Sequence, residues 1–211
     1  SMLMYFYDCG PDTDSSLPNH VSNKQLFDGL AISKAGNRYM EKLGQYPVIF
    51  LTFKNIKELD WETTYSKIKK LIQRTYLKDD YLNDSPKLKP QEKKYFKKIT
   101  DLEGNRDDYE SSLENLLIFL NRHYGKRVVI LIDEYDAPIH YGYSHKYYDQ
   151  IINFMRNFLS GGLKDTDQYL EKSVLTGIMR VAKESIFSGL NNLGVYSLLT
   201  DAFNDKFGFT Q

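Results

Sequence analysis

Two kinds of apolar pattern alternate along the chain: short unbroken runs, and stripes at helical spacing. Val128-Val129-Ile130-Leu131-Ile132 is an unbroken run of β-branched and aliphatic residues, which predicts a central parallel strand covered on both faces. Pro47-Val48-Ile49-Phe50-Leu51-Thr52-Phe53, bounded by Pro47 and Lys54-Asn55, predicts a second buried strand, and Ser173-Val174-Leu175-Thr176-Gly177-Ile178 a third. Between the first two, Asp60 can cap a helix whose Trp61, Tyr65, Ile68 and Ile72 fall at i, i+4, i+7 and i+11. Asn83-Asp84-Ser85-Pro86 breaks that pattern. Leu113, Leu116, Leu117, Leu120 and Tyr124 form a further stripe, closed by Gly125 as a left-handed terminator. Ile151, Met155 and Phe158 mark a helix running to Gly161-Gly162. Strands separated by helices call for right-handed crossovers, so the expected fold is α/β: a three-layer sandwich with a mainly parallel sheet, strands in the order first, second, third.

The opening residues 1–7 are apolar from the start with no polar cap, which reads as the tail of a helix whose beginning is absent. Residues 9–20 are rich in Gly, Pro, Asp and Ser and predict a loop; residues 21–43 predict short helical pieces. A length of 211 residues without internal repeats fits one domain.

Charge changes this picture little in total and more in detail. Lys+Arg 28 cancel Asp+Glu 28, so no overall field for nucleic acid is written in the chain. Locally, six lysines between Lys87 and Lys98 surround Tyr95 and Phe96; such a segment can grip a phosphate backbone, and more commonly is a solvated helix face. The single Cys9 excludes an intramolecular disulfide and any cysteine-cluster metal site. No apolar run approaches the roughly 20 residues of a membrane helix, and signal-peptide features are missing, so a soluble cytoplasmic protein with no membrane partner is expected. His140 and His145 stand five apart in what reads as a Tyr/Gly-rich loop, which is no metal pattern.

The chemistry concentrates where the central strand ends, at Asp133-Glu134. Ligands of open α/β sheets sit at that end of the strands. One carboxylate can hold the water shell of Mg²⁺ while the other orients an attacking water, the division of labour that phosphoryl transfer requires. Two acids can equally follow a buried strand merely to leave the core. Pattern alone leaves both readings open.

Residues 128–139 (VVILIDEYDAPI) and 176–193 (TGIMRVAKESIFSGLNNL) resemble the AAA-ATPase-like family of bacterial and archaeal P-loop NTPases, and the likeness extends to residues 46–53, 195–197 and 207–210. The resemblance implies a Walker B strand, with Asp133 as the magnesium and cofactor-binding residue and Glu134 as the catalytic glutamate. It implies that Thr176 is a polar sensor of the γ-phosphate. Arg180 can neutralise phosphate charge as a catalytic residue, or pair with Asp133 or Asp136. Asp136 has no obvious chemical task beyond tuning the site or capping the next turn.

Family members also carry a glycine-rich loop with Lys-Ser or Lys-Thr ahead of the helix that residues 1–8 finish. This sequence has none: Gly189 and Gly194 have glycine-loop spacing, but Val195-Tyr196 follow in place of the lysine and hydroxyl. The expectation is therefore an incomplete P-loop NTPase-like fragment, with the first strand and phosphate loop absent and only the Walker B and sensor portion present. ATP and Mg²⁺ belong to the intact parent, and this chain alone is expected to bind neither tightly and to be inactive. The missing strand would flank the third, leaving an edge open to pairing with residues 207–210 or with another copy in a homo-oligomer. Parents often continue into a restriction-endonuclease-like nuclease domain, the route by which nucleic acid would become a partner. Two other readings stand beside this one. The chain can be a non-enzymatic interaction or regulatory module associated with a nuclease, or Asp133, Glu134 and Asp136 can form a nuclease metal site, although no nearby lysine follows in E-x-K order.

Overall fold

A computed structural model describes residues 1–10, 23–178, 194–197 and 200. Helix α1 (Met2–Tyr7) leads to two short helices, α2 (Ala31–Lys34) and α3 (Asn37–Met40), and then to strand β1 (Val48–Thr52). There follow α4 (Trp61–Leu77), α5 (Pro90–Thr100), α6 (Arg106–Glu110), α7 (Ser112–Tyr124), β2 (Val128–Asp133), α8 (Ala137–Ser144), α9 (Tyr148–Leu163) and β3 (Leu170–Leu175). The strands form one parallel sheet in the order β1-β2-β3, with helices on both sides, the expected α/β sandwich. No described helix is long and apolar enough to cross a membrane.

β2 is central because all five of its apolar residues need cover, and all five are buried. Through the register, Ile49 lies beside Ile130 and Leu51 beside Ile132, and this face meets the main core of α4, α7 and α9, including Ile68, Leu117, Phe154 and Phe158. The ends of the helices are fixed as their sequences imply. The Asp60 carboxylate accepts from the Thr63 amide at 2.8 Å, capping α4. Gly125 ends α7 with φ 65°. Within the core, the Tyr76 hydroxyl donates to the Ser112 carbonyl at 2.6 Å, so burial of that ring leaves no polar atom unsatisfied.

Three sequence expectations shift. The third strand lies three residues earlier than its apolar centre indicates: Glu171 and Lys172 belong to it, and a register shift between Val128 and Val129 absorbs the extra residue. The segment holding His140 and His145 is mostly helix α8, not a loop, because Pro138 sits in its first turn and Gly142 lets it pack against α9. A Cβ on Gly142 would stand 2.5 Å from Ile151 Cγ2. The helix expected to run to Gly161-Gly162 takes both glycines into its last turn. Residues 207–210, expected as an edge partner, lie outside the described residues.

At the N-terminal end of β1, a cavity of about 120 Å³ is lined by Val48, Phe50, Asp8, Asp79, Tyr81 and Tyr124, among others. Tyr81 donates to Asp79 Oδ1 at 3.0 Å and lies 2.8 Å from the Tyr124 hydroxyl, which donates to the Gly10 carbonyl. Desolvation pushes the Asp79 carboxyl from 3.8 up to about 7; the neighbouring Asp8 adds to the rise, while the Tyr81 hydrogen bond and Lys78 oppose it.

Two stability predictions follow from this packing. A Cβ on Gly162 would stand 2.5 Å from Leu113 Cγ, a branch point that cannot swing away, whereas one on Gly161 would come no closer than 3.5 Å to any neighbour, the nearest being Glu114 Oε2. Gly162→Ala is therefore expected to lower the urea unfolding free energy by roughly 1–3 kcal/mol, and Gly161→Ala to leave it unchanged or raise it by about 0.5–1 kcal/mol. For Asp79 the folded-state pKa lies above the unfolded value, so the folded state holds the proton more tightly and stability falls as pH rises from about 4 through 7. Asp79→Asn, which keeps an acceptor for Tyr81, is expected to remove that fall, up to about 1.4 kcal/mol per pH unit. Parallel pH profiles of unfolding for the two proteins would contradict it.

Candidate functional site

In parallel strands, residues in register share a face and sit side by side. Thr52, the last residue of β1, is in register with Asp133, the last residue of β2. Ile132 is in register with Leu175, which brings the next residue, Thr176, beside Asp133 on the other edge. The result is a row of Thr52, Asp133 and Thr176 across the C-terminal ends of all three strands. Both carboxylate oxygens of Asp133 are taken: Thr176 Oγ1 donates to Oδ1 at 2.6 Å and Thr52 Oγ1 to Oδ2 at 3.3 Å. The first bond is short and charge-assisted, the second at the long limit.

The backbone around this row is held from both sides. The Phe53 amide donates to the Asp133 carbonyl at 2.9 Å, the Thr176 amide to the Ile132 carbonyl at 2.9 Å, and the Tyr135 amide to the Thr176 carbonyl at 3.2 Å. Between these anchors Glu134 has φ 51°. A non-glycine residue in the left-handed region costs on the order of 1–2 kcal/mol. The sharp turn starts α8 immediately and keeps the half-buried Glu134 at the sheet end beside Asp133. Its carboxylate has no hydrogen bond or ion pair among the described residues.

Asp136 is buried and acts on the segment after β3 rather than as a cap. Its Oδ2 accepts from the Ile178 amide at 2.9 Å, and α8 starts without a side-chain cap bond from it. Gly177 permits the approach, since a Cβ there would stand 2.7 Å from Asp136 Oδ1. Asp136 and Gly177 thus clasp the Thr176 backbone in place beside Asp133. Arg180 lies outside the described residues.

Sequence reasoning missed Thr52 and the clasp. The signal for Thr52 was present, a hydroxyl at the end of an apolar strand, but its meaning depends on the register. No group of three or more His, Cys, Asp or Glu residues suited to holding a metal occurs among the described residues. His145 instead caps the C-terminal end of α8, its Nδ1 lying 2.9 Å from the Tyr141 carbonyl and its ring stacked on Tyr141. The cavity beside Asp8 and Asp79 lies at the opposite end of β1 from Asp133.

A protein of Azotobacter chroococcum mcd 1, described as an uncharacterized protein in the vnfD 5' region, is 41% identical to this chain over 70 residues, which are 33% of this chain and 13% of that protein. No solved structure matches. The family model described as Predicted AAA-ATPase matches residues 1–187, which hold all three strands of the sheet and the row at its end, and the chain belongs to that AAA-ATPase-like family.

Proposed function

We propose that Thr52, Asp133, Glu134 and Thr176 form the Walker B and sensor half of an ATP-hydrolysing site. The observation that carries this reading is the 2.6 Å bond from Thr176 to Asp133 across neighbouring strand ends. A side chain that senses phosphate needs to be coupled to the carboxylate that holds the metal, and this bond couples them.

The donor set fits Mg²⁺ rather than a cation enclosed by protein. One half-buried carboxylate with two hydroxyl neighbours suits an ion that keeps its waters and takes phosphate oxygens as further ligands. When bound, Mg²⁺ would supply neutralisation of phosphate charge. Asp133 would hold that ion's water shell, with Thr52 and Thr176 fixing the orientation of its carboxylate. Glu134 would accept the proton of the attacking water, and its carboxylate, unpaired among the described residues, is available for that purpose. Arg180 is proposed to neutralise charge on the transferred phosphoryl group. The glycine-rich anion cradle and its lysine are assigned to a longer form of the protein, because positioning of the triphosphate dominates this chemistry.

A second reading draws on the sheet edge. β3 pairs only with β2 among the described residues, and its side chains are half-buried apart from the exposed Lys172. A strand of that kind can accept another chain, as an interaction module associated with a nuclease would require.

Calorimetry with ATP and Mg²⁺ and phosphate-release assays separate the readings. This chain alone is expected to bind ATP weakly and show no measurable turnover, whereas a form carrying a glycine-rich Lys-Ser or Lys-Thr loop is expected to do both. In that form Glu134→Gln should leave binding nearly intact and reduce turnover by roughly 10²-fold or more, while Asp133→Asn should raise the Mg²⁺ concentration required. Glu134-dependent turnover by the short chain would show that the phosphate site has been misplaced, and an inert longer form would favour the interaction module. A companion test uses backbone strain: Glu134→Gly should raise stability by about 0.5–1 kcal/mol while removing turnover. A loss of stability would instead make Glu134 a structural residue.

A further inference from the structure

The charges of the chain cancel overall but not locally. Residues 67–98 hold eleven lysines and arginines against four carboxylates, Asp79, Asp80, Asp84 and Glu92, so the remaining residues carry the opposite excess. On α4 and its cap, Lys67, Lys70, Arg74 and Lys78 recur at i, i+3, i+7 and i+11 and all are exposed. Such spacing forms one stripe along a helix. On α5, Lys94 and Lys97 are exposed and Lys93 is half-buried, while Phe96 and Ile99 face the core. Gln73 Nε2 donates to the Thr100 carbonyl at 2.6 Å, and the Tyr76 and Phe96 rings lie 5.0 Å apart. These contacts set the two helices side by side, so the stripe and the α5 lysines share the outer surface of the pair.

Few of these cations are neutralised. Lys67 pairs with Glu58 and Lys98 with Asp108, but Lys70, Arg74, Lys93, Lys94 and Lys97 have no carboxylate partner among the described residues. Like charges a turn apart on a helix are destabilising, so a surface of this kind is stabilised when a polyanion covers it.

We propose that the outer face of α4 and α5 docks the phosphate backbone of a nucleic-acid duplex, independently of any nucleotide at the sheet end. Lys70 and Arg74 are separated by about 6 Å of helix rise, close to the roughly 7 Å that two phosphates of one strand advance along the axis of a duplex. Single-stranded nucleic acid is disfavoured because no aromatic ring stands out among these cations: Tyr76 and Phe96 are buried, and the Tyr95 hydroxyl is bonded inward to the Asp108 carbonyl at 2.5 Å. A membrane surface is disfavoured because Leu77 is the one large apolar side chain exposed on the described part of these helices, too little for interfacial insertion. Arg74 Nε donates to the Lys70 carbonyl at 3.2 Å, which leaves the rest of its guanidinium outward, and cations without carboxylate partners fit phosphate contact rather than base reading, so the binding is expected to be independent of sequence.

The test is fluorescence polarisation of this chain with a labelled DNA duplex of about 30 base pairs, titrated between about 50 and 200 mM salt. The chain is expected to bind with an affinity that falls steeply with salt. Combined Lys70→Gln, Arg74→Gln, Lys93→Gln and Lys97→Gln should weaken binding by roughly tenfold or more and flatten the log–log salt slope by about 3 to 4. Replacing the exposed Lys34, Lys42, Lys126 and Lys164 with Gln removes the same charge elsewhere and should change affinity by less than about twofold. Lys70→Arg, Lys93→Arg and Lys97→Arg together should retain binding. Equal losses in the two Gln variants would reduce the effect to net charge and overturn the proposal. So would no binding at low salt, tighter binding to a single strand, or tighter binding to vesicles of anionic lipid or to an acidic polypeptide. Circular dichroism of each variant ensures that lost binding is not lost folding.

Discussion

The structure depends on the need of β2 to be covered on both faces and paired on both edges. Five successive apolar residues leave no solvent-tolerant side, so β1 and β3 must flank the strand and helices must close over it. A slip of one residue would turn the buried Ile49 and Leu51 of β1, or the half-buried side chains of β3, to the wrong face. The register is therefore set by burial, and the polar residues at the strand ends inherit it. Thr52 and Thr176 stand on either side of Asp133 for this reason. A core constraint of modest chemical content thus places three polar side chains to within hydrogen-bonding distance.

Against that rigid frame, Glu134 is the departure from local preference. Its left-handed backbone is costly for a residue with a side chain, and the hydrogen bonds of Phe53, Thr176 and Tyr135 around it hold the turn in place. Strain held by surrounding structure is characteristic of sites where position outranks stability. The clasp between Asp136 and the Ile178 amide extends the same logic, because it fixes the backbone of Thr176 from behind.

Much of this was legible in the sequence, and what was not has physical reasons. The three strands, the cap at Asp60, the stop at Gly125 and the acidic end of β2 follow from local pattern, and the strand order from the tendency of successive strands to lie side by side. The bounds of β3 did not, because Glu171 and Lys172 are charged residues in an edge strand whose side chains are half-buried or exposed. Helix α8 was hidden by its tyrosines and glycine, and Gly142 serves close packing against Ile151 of α9 rather than loop formation. Thr52 could not be identified before the register was known, since nothing local separates a hydroxyl that terminates a strand from one that orients a carboxylate. The lysines of α5 were visible, but their neighbours on α4 lie across a tertiary contact.

The central claim is that the row across the strand ends is where a metal–nucleotide complex sits. It is tested most directly by paramagnetic broadening of ¹⁵N-labelled protein titrated with Mn²⁺ and ATP, Mn²⁺ standing in for Mg²⁺. The account predicts that the amides of Phe53, Asp133, Glu134 and Thr176 broaden first, and that Asp133→Asn abolishes this pattern. Broadening centred instead on Asp8 and Asp79, at the other end of the sheet, would contradict it.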